Sequence, residues 1–273
     1  MKFIGYLFFL FGYRVNHLFR RIKSKILKVN KQEKIDYLHK RIIKYPKLES
    51  IEKTISDLVE KNMSITRFGD GEYHLCLGKS IGFQEFTFRL GFRMFKILSD
   101  SKSESCMIGI IPYQLNGINE YSTDFWYENI DYVLKFFNKN TLYYNARITR
   151  ELTNENIMHL KKAWEKRDVI FITGKGSRFS ENHTIFDNVA SKQSLFTTAR
   201  NAWSDYNQTY KNVLIAAKSI SNPIVICAIG PTASILAYDL SIINIQCLDI
   251  GHITNIYDKL FLNADKPENL PIQ

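Results

Sequence analysis

Cysteine is scarce and poorly placed for chemistry. The four cysteines, Cys76, Cys106, Cys227 and Cys247, form no C-x-x-C pair and have no histidine at metal-ligand spacing. That argues against a zinc site or a disulfide framework. Cys227 and Cys247 fall in apolar, strand-like runs where cysteine packs as a small hydrophobe. Reduced thiols in a cytoplasmic compartment are the expectation. Long hydrophobic runs are also missing. The apolar run at residues 3–13 has eleven residues, well short of the roughly 20 a spanning helix needs. Its n-region has only Lys2 and no small-residue cleavage site follows, which disfavours a signal peptide. No repeat, low-complexity segment or Pro/Gly linker divides residues 48–273. No Walker A spacing is present. Ser177, His183 and Asp187 lack the G-x-S-x-G elbow of a hydrolase triad. His183 and His252 do not pair at metal-ligand spacing.

What is present begins with charge. The chain carries +10, and residues 1–47 hold thirteen Lys and Arg against Glu33 and Asp36, so this arm alone carries +11. The remaining residues sum to −1. A neutral body argues against a nucleic-acid-binding core, and a basic arm argues for a local anionic surface. Within the arm, Arg20, Arg21, Lys23, Lys25, Lys28 and Lys31 interleave with Leu18, Phe19, Ile22, Ile26 and Leu27. This predicts a basic amphipathic helix on the anionic inner face of the cell membrane, a peripheral rather than spanning attachment. The competing reading is a helix packed on the body or on a second subunit.

From residue 48 onward the pattern is α/β. Helical patterns cover 33–44, 50–61 (with Ser50 as N-cap), 85–98, 125–137, 154–166, 204–219 and 232–241. Strand candidates are Met107–Ile111, Leu142–Ile148, Val169–Thr173, Ser194–Thr198, Ile224–Ile229 and Gln246–Asp249, with a short strand-like approach at Met63–Ile65. Apolar runs alternating with helices predict a Rossmann-like, mostly parallel sheet covered on both faces.

Ligands of such sheets bind beyond the carboxyl ends of the strands, and three of those ends suit anions or cations. At Thr66–Glu72 a strand breaks at Gly69-Asp70-Gly71 and releases two carboxylates, Asp70 and Glu72. These can hold Mn²⁺ or Mg²⁺, which share hard oxygen ligands with substrate phosphates; a plain surface turn is the alternative. At Thr173–Arg178 a strand ends in glycines followed by Ser177 and Arg178, and at Gly230-Pro231-Thr232-Ala233 a strand turns into a helix start. A metal site with two anion cradles on one sheet edge suggests a nucleoside diphosphate.

These stretches occur together in one known family. Residues 67–72 (RFGDGE), 80–84 (SIGFQ), 176–178 (GSR), 186–188 (FDN), Asn201-Ala202, 230–233 (GPTA), 236–240 (LAYDL) and 249–252 (DIGH) appear in its order. Over about residues 50–260 the chain resembles the bacterial glycosyltransferases of the GT-D fold, which carry a D-x-E motif. The resemblance implies a UDP-sugar donor and a metal, Mn²⁺ or Mg²⁺, at Asp70 and Glu72. Arg67, Gly69, Gly71, Ser177, Arg178, Asn201, Gly230 and Thr232 would lie around the nucleotide. It also implies a glycan acceptor, lipid-linked or protein-linked, in surface polysaccharide or glycoprotein assembly. One departure concerns catalysis. Where the family carries acids, this chain has Thr254 and Ile256. Asp258 and His252 are then the candidates to accept the acceptor's proton; the alternative is a catalytically inactive nucleotide-sugar-binding partner of another transferase.

Overall fold

The computed structural model describes residues 2–99, 104–113 and 120–264, so the last nine residues of the 48–273 unit lie outside the described residues. One sheet of seven strands organises the chain: β1 (Ser64–Phe68), β2 (Cys106–Ile110), β3 (Tyr143–Asn145), β4 (Asp168–Gly174), β5 (Ser191–Thr197), β6 (Ile224–Ala228) and β7 (Gln246–Asp249). Their order is β3-β2-β1-β7-β6-β4-β5, and every pairing is parallel. The α/β expectation is met, with all six strand candidates present. The approach at Met63–Ile65 continues as a strand to Phe68. The candidate at Leu142–Ile148 keeps only three strand residues, because turns begin after Asn145, with Arg150 and Glu151 both donating N–H bonds to the Arg147 carbonyl.

Ten α-helices lie among the described residues: α1 (Phe3–Ile26), α2 (Lys31–Ile42), α3 (Ile51–Glu60), α4 (Asp70–Cys76), α5 (Phe88–Leu98), α6 (Glu120–Val133), α7 (Asn154–Leu160), α8 (Tyr206–Ala217), α9 (Thr232–Ile242) and α10 (Ile253–Phe261). Ser50 caps α3 as expected, accepting from the Lys53 N–H at 3.1 Å. α10 is an element the sequence pattern did not announce. Its first turn has no acidic residue and its N-cap, His252, makes no side-chain capping bond.

Side-chain alternation sorts the strands between two layers. Val169 and Phe171 of β4 join Ile226, Leu248 and the inner faces of α3, α7 and α10. Ile170 and Ile172 point the other way, with Val225 and Cys247, into α8 and α9. On that second face the cluster continues over β1 and β2 to α4, α5 and α6. The four cysteines are free and buried, with the Cys227 and Cys247 sulfurs 3.3 Å apart in neighbouring strands.

The arm is seated on this second face. α1 buries Tyr6, Leu10 and Tyr13. The Tyr6 hydroxyl donates to the Cys76 carbonyl at 2.9 Å, and Tyr13 donates to Asn129 of α6 at 2.7 Å. Arg20 pairs with Asp131, and His17 lies 3.0 Å from Glu128, also on α6. α2, closed by an Asn30–Glu33 capping box, packs on α6 as well and buries Leu38. Among the described residues no helix is long and apolar enough to cross a membrane.

Candidate active site

The carboxyl ends of the strands open into a single large cleft of about 1190 Å³. β1 stops at Phe68, Gly69 becomes the N-cap of α4, and Asp70 and Glu72 fall in that helix's first turn on the cleft wall. Asp70 is exposed to the cleft with no hydrogen-bond or ion-pair partner among the described residues. Glu72 folds back instead and accepts the Gly69 N–H at 2.8 Å. Burial pushes the Glu72 carboxyl up to about 7 and the nearby Asp249 charge adds to this; the Gly69 bond and Arg67 pull the other way.

The third acid of this corner, Asp249 at the end of β7, is already committed. Arg67 of β1 donates to its Oδ1 at 3.1 Å and also to its backbone carbonyl, while another guanidinium nitrogen reaches Thr149 Oγ1 at 2.5 Å. Ser234 Oγ lies 2.9 Å from the remaining Asp249 oxygen. Arg67 is therefore a strut between β1, β7 and the turn after β3 as well as a wall residue.

Opposite stands the end of β4. Gly176 adopts φ +72°, a left-handed turn conformation, and the next two side chains reach the cleft. Ser177 Oγ accepts from the Phe179 N–H at 3.1 Å, which leaves its own hydroxyl hydrogen free to donate. Lys175 and Arg178 are exposed on the cleft wall and have no ion-pair partner among the described residues. Gly230, at φ +60°, lies under Phe83, and a Cβ there would come within 2.9 Å of that ring.

Gly69, Gly71, Arg67, Gly230, Ser177, Arg178, Asp70, Glu72 and His252 thus line one cleft, whereas three predicted residues do not. Thr232 is fully buried with its hydroxyl 3.4 Å from Gln84 Oε1, and it holds the start of α9 to the loop before α5. Asn201 accepts the Glu85 N–H at 2.6 Å and donates its own N–H to the Phe83 carbonyl at 2.9 Å, so it braces that loop. Asp258 lies off the wall on α10, 2.7 Å from His183 Nε2. His252 does line the cleft, but Arg150 donates to its Nε2 at 2.8 Å. Partial burial, then the Arg150 and Arg67 charges, push its imidazole down to about 3. A ring so placed is neutral near pH 7 and a weak proton acceptor.

Among the cleft residues that the sequence reading did not assign are His74, Arg147, Arg150 and Glu151. His74 sits one helical turn beyond Asp70, so i, i+4 spacing on α4 was its available signal. Its Nδ1 is buried without a hydrogen-bond partner. Arg147, Arg150 and Glu151 come from the turns where the predicted strand ended early, and Glu151 pairs with Arg147.

The donor set suits a divalent cation held jointly with a substrate. Among the described residues no group of three or more His, Cys, Asp or Glu is arranged to hold a metal ion. Two carboxylates, one unpaired and one carrying a burial penalty on its charge, match the sparse protein ligation of Mg²⁺ and Mn²⁺.

The raised Glu72 pKa has a signed consequence for the protein without a cation. Between the ordinary carboxylate value and about 7, the folded chain holds a proton that the unfolded chain has released. This stabilisation is complete below about pH 4.5 and lost as pH rises through 7; it amounts to about 3 kcal/mol. In cation-free buffer, the melting temperature should fall from pH 5 to pH 8 more steeply in the native chain than in Glu72→Gln. Superimposable profiles in differential scanning calorimetry would remove the burial argument for Glu72.

The chain is similar to known proteins over most of its length. The family model described as the glycosyltransferase GT-D fold matches residues 65–273. Two curated streptococcal relatives are similar. Glycosyltransferase GlyD of Streptococcus pneumoniae is 25% identical over 231 residues, covering 80% of this chain, and the probable glycosyl transferase Gly of Streptococcus gordonii is 29% identical over 229 residues, covering 79%. The chain spans only 28% and 33% of the length of these relatives. Among solved structures, a Streptococcus sanguinis glycosyltransferase superimposes with a TM-score of 0.70 at 28% identity, covering 80% of this chain and 85% of that one. A second, described as a domain of unknown function with a distinct glycosyltransferase fold, gives a TM-score of 0.72 at 23% identity over 86% and 87% of the two chains and shares the fold. The chain belongs to the glycosyltransferase family of the GT-D fold.

Proposed function

We propose that this protein transfers a hexose from a UDP-sugar to a glycan acceptor in the assembly of a bacterial surface polysaccharide or glycoprotein. The observation that carries this reading is that one cleft holds both the Asp70 and Glu72 carboxylates and the cations Lys175 and Arg178, which have no ion-pair partner among the described residues. A metal–diphosphate needs that polarity, with acids toward the cation and bases toward the phosphate oxygens. When bound, Mn²⁺ or Mg²⁺ at Asp70 and Glu72 would neutralise charge on the departing diphosphate. Ser177 donates to a phosphate oxygen, and Lys175 and Arg178 offset the charge that grows there as the glycosidic bond breaks. Phe83, Phe125 and Trp126 give the wall its aromatic surface. Of the four carboxylates on the wall, Asp249 is tied to Arg67, and Asp70 and Glu72 are assigned to the cation. Glu151, exposed and paired with Arg147, is the carboxylate left to take the acceptor hydroxyl's proton.

A second reading, a nucleotide-sugar-binding partner without turnover, is favoured by three observations together: His252 is a weak base, Asp258 lies off the wall, and Thr254 is buried. One experiment separates the two. The protein is incubated with a panel of UDP-sugars, Mn²⁺ and acceptor extract, and UDP release is followed. Acceptor-dependent release above the no-enzyme rate is expected for one donor. Tight UDP binding with no release for any donor would select the binding partner instead.

A further inference from the structure

α1 has two apolar faces, and the body covers only one. Beyond the buried stripe of Tyr6, Leu10 and Tyr13 runs a second at Ile4, Phe8, Phe11, Phe19, Ile22 and Ile26. At 100° per residue these six side chains share one side of the helix for its whole length. They face solvent, with Phe8 and Phe11 exposed at 74% and 70%.

The charges of α1 divide in the same way. The helix has no acidic residue. Arg20 and Arg21 are drawn inward to Asp131 and Glu128 of α6. Arg14, Lys23 and Lys25 are exposed and have no ion-pair partner among the described residues. By helical phase Arg14 and Lys25 border one edge of the outer stripe and Lys23 the other. Two copies of this chain meeting through the stripe would set these cations against their own like, with no acid on α1 to answer them.

We infer that the outer face of α1 docks on an anionic bilayer surface, its phenylalanines entering the headgroup boundary and Arg14, Lys23 and Lys25 resting on acidic lipid headgroups. The helix then lies flat, because its Lys and Arg residues leave it too polar to span, and no helix among the described residues is long and apolar enough to cross a membrane. The cytoplasmic leaflet, with its acidic lipids, is the surface this chemistry fits. α1 lies outside the residues the family model matches. The seat of α1 is α6, and α6 supplies Phe125 and Trp126 to the cleft wall. Docking therefore holds the cleft two helix layers from the lipid, within reach of a membrane-borne acceptor. Only that last consequence rests on the transfer reading.

The test uses the full chain and sedimentation with phosphatidylcholine vesicles, with and without about one-third phosphatidylglycerol. The intact protein should sediment with the acidic vesicles at low salt, weakly with the neutral ones, and progressively less as salt rises. Replacing Phe8, Phe11 and Phe19 by serine should abolish binding with an unchanged melting temperature, because all three are exposed. Arg14→Ala, Lys23→Ala and Lys25→Ala together should weaken it on the order of 10²-fold, and this variant carries the test if the serine variant fails to fold. Failure of the intact chain to bind acidic vesicles at low salt overturns the inference. So does light scattering that shows a dimer which the serine variant dissolves.

Discussion

Asp70→Asn is expected to lower sugar transfer by roughly 10²–10³-fold, the range seen when a group that stabilises developing charge is removed. The substitution keeps the side chain's shape and disturbs no bond, since Asp70 has no partner among the described residues. The melting temperature should therefore hold while activity falls. Calorimetric titration of UDP isolates the cause: the affinity gained by adding Mn²⁺ should disappear in the variant, and affinity in EDTA should stay the same. Glu72→Gln should show the same loss of cation-dependent binding with the opposite effect on the fold, because it deletes a charge that burial penalises. Above pH 7 that variant should be more stable than the native chain. Wild-type transfer in Asp70→Asn would remove the metal from this corner of the cleft.

Glu151→Gln should reduce turnover by roughly 10²–10⁴-fold, the usual size of a general-base loss, while UDP affinity with Mn²⁺ is preserved. Asp258→Asn is the informative companion. Its carboxylate meets His183, one helical turn along α10 from the cleft-lining Thr254. Replacing it should cost about 0.5–1.5 kcal/mol of stability and leave turnover near normal. The reverse pattern, with Asp258→Asn inactive and Glu151→Gln active, would return the proton to α10 and require that helix to move on acceptor binding. His252→Gln offers a third point of reference. With its imidazole held near 3 and its Nε2 engaged by Arg150, loss of the ring should change the position of Arg150 more than it changes a pH profile.

Much of the site was legible because its chemistry lies in short segments. Asp70 and Glu72 are two residues apart, and glycine punctuation marks both the end of β1 and the end of β4. The strands of the buried sheet announce themselves as apolar runs for the same local reason. What stayed hidden depends on contacts distant in sequence. Nothing near Arg67 reveals that it is tied to Asp249, 182 positions later. Arg147, Arg150 and Glu151 reach the cleft only because β3 ends after three residues, and the apolar spelling of 142–148 reads as a longer strand. Thr232 and Asn201 sit in motifs that look ligand-directed, yet the structure gives their side chains to Gln84 and Glu85. A polar residue beside a glycine turn reads the same whether it faces a substrate or braces a loop.

The seat of α1 also bears on how the chain comes to fold. Tyr13 meets Asn129, and Arg20 meets Asp131, more than a hundred residues downstream. At a synthesis rate of roughly 5–20 residues per second, α6 follows α1 from the ribosome by on the order of ten seconds. During that interval both apolar faces of α1 are uncovered, in a helix whose only charges are positive. The nascent chain therefore displays this helix well before the partner that covers one of its faces, and a chaperone or an acidic membrane surface is the natural place for it to wait.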